Sequence, residues 1–334
     1  MKYKFSLDKG HFITGTKMLN WGIIGLGNVA KRFAASLTHF PEAALYAIAS
    51  QTPEKREAFQ KAFPAEKVYD SYAALLNDEE VDVVYIALPH GMHYKWAKAA
   101  LEANKCVLIE KPAVLHAQEF VELSQIASSR QLFLMEAMKS RFIPLNKVIH
   151  QEVTSGLIGQ IVSIENHFQS HHDYDAHSYL YDEAQGGALY DCGTYCLASV
   201  LDLVPGQMTA IQNNVTYHHG VDVYNEVHLT FENGVKATCV CSIEDEVKDR
   251  SMIIKGANGQ IKVDYFYRPT EALIEAGEES YTVTVEIPYD DFYPEIEAVH
   301  QGISYLKTES PLMSHQDSIR LAQTLEAIKK VSHG

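Results

Sequence analysis

Three short segments of this chain hold residues able to do chemistry: Gly25-Leu26-Gly27-Asn28-Val29-Ala30, Glu110-Lys111-Pro112, and residues 186–195, which read GGALYDCGTY. The first has G-x-G-x-x-A spacing. Its first glycine permits a tight turn, its second lets the backbone approach a pyrophosphate, and Ala30 keeps helix close to strand. Phosphates would rest on the helix N-terminus, where free N–H groups and the helix dipole favour negative charge. The second segment places Lys111 just past a strand, and Pro112 fixes the backbone after it. Beside a cationic ring, the ammonium form of such a lysine is disfavoured, so it can exchange protons near neutral pH. The third segment brings Asp191 and Tyr195, four residues apart and on one helical face, up behind a glycine pair. A carboxylate and a phenol in that arrangement can both meet a substrate hydroxyl. Each segment also has a plainer reading: a glycine turn, a solvated lysine, and a helix-capping carboxylate with a core tyrosine.

The elements that position these groups follow from hydrophobic periodicity. The apolar run 19–24 reads as a strand buried on both faces. After it Val29, Ala30, Phe33, Ala34 and Leu37 recur at helical spacing, with Asn28 as the expected N-cap. Strands are expected at 44–49, 81–88, 106–109 and 132–135, alternating with helices at 54–62, 94–103 and 116–129. That alternation predicts an N-terminal Rossmann domain, a doubly wound parallel sheet with right-handed crossovers. Past residue 139 the texture changes to alternating strands, with Asn233-Gly234 and Asn258-Gly259 as hairpin turns. Leu321, Leu325 and Ile328 mark a closing amphipathic helix. The expected class is therefore α/β, with a C-terminal α+β domain on a large, mainly antiparallel open sheet. The expected boundaries are 1–17 as an N-terminal extension, leader or mis-assigned start on which no function is built, 18–138 as the NAD(P)-binding domain, and 139–334 as the substrate-binding and oligomerisation domain.

The chain has 334 residues, more than one core usually supports, which agrees with two domains. A net charge of −15 argues against a nucleic-acid partner, whose phosphates it would repel. No apolar run is long enough to cross a bilayer, and the N-terminus lacks the apolar centre of a signal peptide. Cys106, Cys192, Cys196, Cys239 and Cys241 form no C-x-x-C pair, so reduced thiols and a cytoplasmic location are expected. His171-His172 and His218-His219 lack partners at ligand spacing, and no metal is expected.

Cofactor choice is read at the end of the second strand. Ser50-Gln51-Thr52 contains no acid for ribose hydroxyls, and Lys55 and Arg56 follow. Small polar groups with nearby cations suit a 2′-phosphate, which favours NADP over NAD. The same two cations equally read as solvating a helix start. Residues 167–175, HFQSHHDYD, are rich in hydroxyl, imidazole and carboxylate groups that suit a sugar or polyol. Tyr174, Tyr179 and Tyr181 suit a planar cyclic diol, and an exposed polar loop is the plain alternative. Arg141 either reaches the same crevice or pairs with Glu136. The candidate substrate contacts are thus Arg141, His171, Tyr174, Asp191 and Tyr195.

Together with Leu88-Pro89-His90-Gly91-Met92-His93 and the 136–142 stretch EAMKSRF, these segments resemble the glucose–fructose oxidoreductase/inositol dehydrogenase (Gfo/Idh/MocA) family from Met18 onward. Glu110-Lys111-Pro112 looks like its signature tripeptide. Tyr195, where many relatives carry histidine, and Asp182 look most like the dihydrodiol dehydrogenase branch. The resemblance implies hydride transfer between NAD(P) and a secondary alcohol or carbonyl of a sugar, polyol or trans-dihydrodiol. By the same resemblance Lys111 and Tyr195 handle protons, Asp191 orients them, and His93 lies near the nicotinamide. The implied cofactor contacts are Gly25, Gly27, Asn28, Val29, Ser50, Gln51, Lys55, Leu88, Pro89, His90, His93, Glu110 and Lys111. Ala188, where a third glycine is common, and Lys139, at a frequently aromatic position, depart from the pattern. A phenol of pKa about 10 is a poor base at neutral pH, and a neighbouring Lys111 ammonium would favour its phenolate. Two other readings share the fold: a cofactor-retaining glycosidase or sugar-modifying enzyme, and a non-catalytic nucleotide-sensing protein. Lys111, Asp191 and Tyr195 argue against the last. A homodimer or homotetramer through the C-terminal sheet is expected, because that sheet would otherwise expose an apolar face.

Overall fold

The computed structural model describes residues 2–4 and 18–332. Lys2–Lys4 forms strand β1; the remainder of the expected 1–17 extension lies outside the described residues. The chain divides into two compact units. One comprises residues 18–138 together with Pro288–Ile319. The other comprises β1, Lys139–Ile287 and the chain from Arg320 onward.

The first unit begins with β2 (Leu19–Ile24), α1 (Asn28–Leu37), β3 (Ala43–Ala49), α2 (Pro53–Ala62), β4 (Lys67–Tyr69) and α3 (Tyr72–Leu76). It continues through β5 (Val83–Ile86), α4 (His93–Glu102), β6 (Cys106–Glu110), α5 (Ala117–Arg130) and β7 (Leu134–Ala137). The six strands pair in the order β4-β3-β2-β5-β6-β7, all parallel. β2, β5 and β6 are apolar and nearly all buried, as a sheet covered on both faces requires. Sequence reading missed β4, a three-residue edge strand of Lys, Val and Tyr too short to show a period.

The second unit contains α6 (Pro144–Thr154), β8 (Ile161–Gln169), α7 (Thr194–Leu203), β9 (Met208–His218), β10 (Val221–Phe231), β11 (Lys236–Ser242), β12 (Met252–Gly256), β13 (Gly259–Val263), β14 (Glu271–Ala276) and β15 (Glu279–Thr284). Its nine-stranded sheet runs β1-β15-β14-β13-β12-β8-β11-β10-β9. Only β1 with β15 and β11 with β8 pair in parallel. Both Asn-Gly pairs fall between antiparallel neighbours, at β10/β11 and β12/β13. Ile164, Asn166 and Phe168 of β8 are buried on the α7 side, where Asn166 donates to Cys196 O and Ser199 Oγ. The alternate positions carry Glu165, His167, Glu226, His228, Lys262 and Glu275, with close pairs such as Lys262–Glu275 at 2.9 Å. At these positions the outer face is polar, not the large apolar surface that the sequence argument assumed.

Helix α8 (Tyr293–Ser304) returns to the first unit, so the units are not two consecutive segments. Aromatic packing is the reason. Phe292 meets Phe33 edge-on at 6.2 Å, Tyr293 stacks on Phe40 at 4.1 Å, and the buried Trp21 Nε1 donates to His300 Nε2 at 3.1 Å. Arg32 adds an ion pair with Asp291 at 2.5 Å. The last helix, α9 (His315–Ser332), buries Leu321, Leu325 and Ile328 as expected.

Candidate active site

In the first unit the glycine turn has the shape its sequence calls for. Gly25 takes φ +89°, and a Cβ there would lie 2.3 Å from the Ala87 carbonyl oxygen. Only glycine fits at that position. Gly27, not Asn28, is the N-cap: its extended backbone leads into α1, and Asn28 is the first helical residue. A Cβ on Gly27 would meet nothing within 4 Å, and no side chain caps the helix. Open space above uncapped first-turn N–H groups is what a pyrophosphate needs, so these residues fit a dinucleotide. Val29 follows in the first turn, and Ala30 is fully buried behind it.

At the end of β3, Ser50 is buried, and its Oγ accepts from the Thr52 N–H at 3.2 Å. Arg56 reaches back to donate to the Ser50 carbonyl at 2.6 Å, while Gln51 and Lys55 are exposed. The guanidinium is thus held at the strand end, which sequence alone left open.

The loop around Lys111 is pinned by buried groups. His93 is fully buried, with Nδ1 2.9 Å from Pro112 O and Nε2 2.7 Å from Leu88 O, and so ties residues 88–93 to the 110–112 loop. Burial, chiefly, holds its pKa down to about 4, and the nearby Lys111 charge pushes the same way. The buried Glu110 accepts from Tyr85 Oη and from the Lys111 N–H, and Glu136 accepts from the Ala113 N–H. Lys111 itself is half-buried, as are Leu88 and Pro89; His90 is buried.

In the second unit, residues 189–193 form one π turn that opens α7. Such turns occur often at functional sites. The four-residue spacing of Asp191 and Tyr195 therefore does not run along a regular α-helix. A residue absent from the sequence argument anchors this turn: the buried Asp222 accepts from the Leu189 N–H and from Asn225 Nδ2, both at 2.7 Å. Gly187, at φ +101°, passes so close that a Cβ there would sit 2.3 Å from Asp222 Oδ1. Asp191 is half-buried, with the Cys192 thiol 3.6 Å from its Oδ2. Tyr195 is buried, stacked on Phe168 at 5.4 Å and tilted against Tyr267 at 5.7 Å. Arg250 places its guanidinium 4.2 Å over Phe168 and 5.4 Å over Tyr267. The run Tyr265-Phe266-Tyr267-Arg268 was the one sequence signal for this wall.

The remaining candidates spread along the same loops. His171 bridges to Glu244 through its backbone and lies 3.5 Å from Glu246 and 3.6 Å from Asp173. Tyr174 is exposed and stacks on His219 at 3.8 Å, next to Tyr181. Arg141 is buried, donates to Ala198 O at 3.1 Å and lies 3.7 Å from Asp202. Among the described residues no group of three or more His, Cys, Asp or Glu could hold a metal ion, and no helix is long and apolar enough to cross a membrane.

Residues 19–138 match the NAD-binding Rossmann fold of the GFO/IDH/MocA oxidoreductase family, and residues 147–262 match the family's C-terminal domain. The chain belongs to this family. It is 29% identical to mouse (Mus musculus) trans-1,2-dihydrobenzene-1,2-diol dehydrogenase, over 93% of this chain and 96% of that protein. D-xylose 1-dehydrogenase (NADP(+)) of Hypocrea jecorina is also 29% identical, over 92% of this chain and 90% of that one. The crystal structure of KijD10, a 3-ketoreductase from Actinomadura kijaniata in complex with NADP and TDP-benzene, superimposes with a TM-score of 0.85. It has 25% identity and covers 93% of this chain and 97% of that one.

Proposed function

We propose that this family member is an NAD(P)-dependent dehydrogenase that oxidises a secondary alcohol of a sugar, polyol or trans-dihydrodiol and, in reverse, reduces the carbonyl. The observation that carries this reading is Tyr195, a buried phenol on a π-turn helix one turn after Asp191, in a chain with a fitting dinucleotide cradle. The likeness to dihydrodiol and xylose dehydrogenases supports the substrate class. Bound nicotinamide supplies the hydride acceptor or donor at its C4 position. Tyr195 takes the substrate hydroxyl proton at its Oη, and the family likeness assigns Lys111 to proton handling as well. Asp191 accepts a hydrogen bond that orients the hydroxyl. Arg141, His171 and Tyr174 are assigned to substrate contact. Of the cofactor contacts, Gly25, Gly27, Asn28 and Val29 serve the pyrophosphate, and Leu88, Pro89, His90, His93 and Glu110 shape the nicotinamide side.

The same reading takes the first unit, residues 18–138 with Pro288–Ile319, as the cofactor side and the second unit as the substrate side, with homodimers or homotetramers formed through the nine-stranded sheet. Light scattering in solution tests the assembly. Five free thiols agree with a cytoplasmic location. NADP is assigned as the preferred cofactor on the Arg56–Ser50 arrangement, with Ser50, Gln51 and Lys55 around the 2′-phosphate. Arg56→Ala should weaken NADP binding by about tenfold and leave NAD binding nearly unchanged. Reduced-nicotinamide absorbance, followed with NADP and NAD against sugars, inositols and cyclic trans-diols, tests the whole reading. Turnover with one substrate class is expected; binding of cofactor without turnover on any class would overturn it.

A further inference from the structure

We propose that Arg250 is a positioning residue for Tyr195, holding its ring and favouring its phenolate through a stack of aromatic side chains. The proposal rests on Tyr195 being the proton-handling group of the dehydrogenase described above. Tyr195 packs against two rings, Phe168 and Tyr267, and the Arg250 guanidinium lies over both. The four side chains form one closed cluster, in which all three rings are more than nine-tenths buried. Arg250 is fixed in turn, since its Nε donates to the Gln169 carbonyl at 2.9 Å, at the end of the strand that carries Phe168. A planar guanidinium suits this place because it stacks on a ring face while its edge still donates.

From the two centroid distances through Phe168, the guanidinium carbon lies no more than about 10 Å from the Tyr195 ring. The intervening matter is aromatic side chain, not water, so the charge is weakly screened. At Cys196, the next residue along α7, burial pushes the thiol up and the Arg250 charge acts in the opposite direction. Other charged or titratable groups bear on the cluster. Tyr267 is raised by burial and paired with Arg268, and Tyr265 lies beside it at 5.2 Å. Asp191 precedes Tyr195 by one turn, and Asp249 adjoins Arg250. Cys196, Cys239 and Cys241 are buried thiols held neutral by desolvation. Arg268 is a second cation here, engaged with the Tyr267 hydroxyl and 4.6 Å over the Tyr267 ring, but it meets one of Tyr195's ring neighbours whereas Arg250 lies over both.

The test is a spectrophotometric titration of tyrosine at the phenolate band, run on the full chain and on Tyr195→Phe, so that the difference isolates the Tyr195 transition. Arg250→Met, apolar and of similar length, should raise that transition by about one pH unit, the size expected for one charge at this distance. Arg250→Lys, which keeps charge but not planarity, should return it close to the parent value. Dehydrogenase pH profiles give the second readout: the limb of kcat/KM that rises as the Tyr195 base loses its proton should move to higher pH with Arg250→Met while cofactor KM stays constant. A Tyr195 transition unmoved in Arg250→Met would overturn the proposal, and so would a Lys variant as displaced as the Met variant. Circular dichroism confirms that both variants are folded. Absence of turnover in the parent protein would sink the dehydrogenase reading instead, and the optical titration would still judge Arg250.

Discussion

The two units hold their functional side chains in different ways. In the first, the Lys111 loop is fastened from within the strand-and-helix series that carries it, the longest of these ties running 25 residues from Tyr85 to Glu110. His93 reaches carbonyls 5 and 19 residues away, and Glu110 binds the N–H of its own neighbour. In the second, the Asp191–Tyr195 turn is fastened from far along the chain. Asp222 accepts the Leu189 N–H across 33 residues, while Arg250 comes from the segment between β11 and β12 and Tyr267 from that between β13 and β14. A cofactor common to many enzymes can be held by a portable local motif. A substrate-side turn must be built from whatever the rest of its own domain supplies.

Removing chemistry should strike the second unit hardest. Tyr195→Phe should lower kcat by roughly 10²–10⁴ while cofactor affinity, measured by NADPH fluorescence titration, barely changes. The mirror experiment in the first unit is Gly25→Ala, which puts a methyl group against the Ala87 carbonyl at positive φ. It should weaken cofactor binding by about 100-fold. A Gly25→Ala protein that binds NADPH normally would erase the contrast between portable motif and domain-built site.

A third variant tests whether the long-range tie matters. Asp222→Ala strands the buried Leu189 N–H and the Asn225 amide, so urea unfolding should show a loss of about 2 kcal/mol. If stability is unchanged, the π turn holds itself and the comparison fails on that side.

A fourth test is a pH slope. His93 and His300, both in the first unit, are held down at about pKa 4, chiefly by burial, against an ordinary value of 6.5. Unfolded chain binds those protons more readily than folded protein. Their contribution to stability is therefore complete above about pH 6.5 and is lost progressively as pH falls toward 4. Urea midpoints taken at pH 7 and pH 5 should show this slope, and His300→Gln should flatten part of it. An equal slope in the variant would mean that His300 is not responsible.

The same contrast explains what the sequence disclosed. The β2–α1 turn, the alternating strands and helices, and the Asn-Gly hairpins could be read because each is a local pattern with a local physical cause. Asn28 was misplaced by one position because the extended backbone of Gly27 had already filled the cap. The π turn was invisible, since the local residues do not separate a π start from an α start, and the Asp222 bond to Leu189 N–H comes from 33 residues away. The return of Pro288–Ile319 to the first unit was hidden too, because aromatic pairs such as Phe40–Tyr293 have no signature at such separation. Of the proposed site, the glycines, Lys111, Asp191 and Tyr195 could be named from their motifs, but not Asp222, which binds the Leu189 N–H, or Arg250, which lies over Phe168 and Tyr267, because both meet their partners only in the fold.

The hydrogen bond from Trp21 to His300 has an optical consequence. The chain's two tryptophans, Trp21 and Trp96, both belong to the first unit, and Trp21 is fully buried against an imidazole. Indole emission therefore reports on one half of the molecule alone, and protonation of its imidazole neighbour in acid should dim it before that half comes apart. The other half is dark at those wavelengths and has to be followed through its tyrosines. Any melting curve recorded by tryptophan fluorescence is thus a curve for the nucleotide-side unit, whatever the rest of the chain is doing.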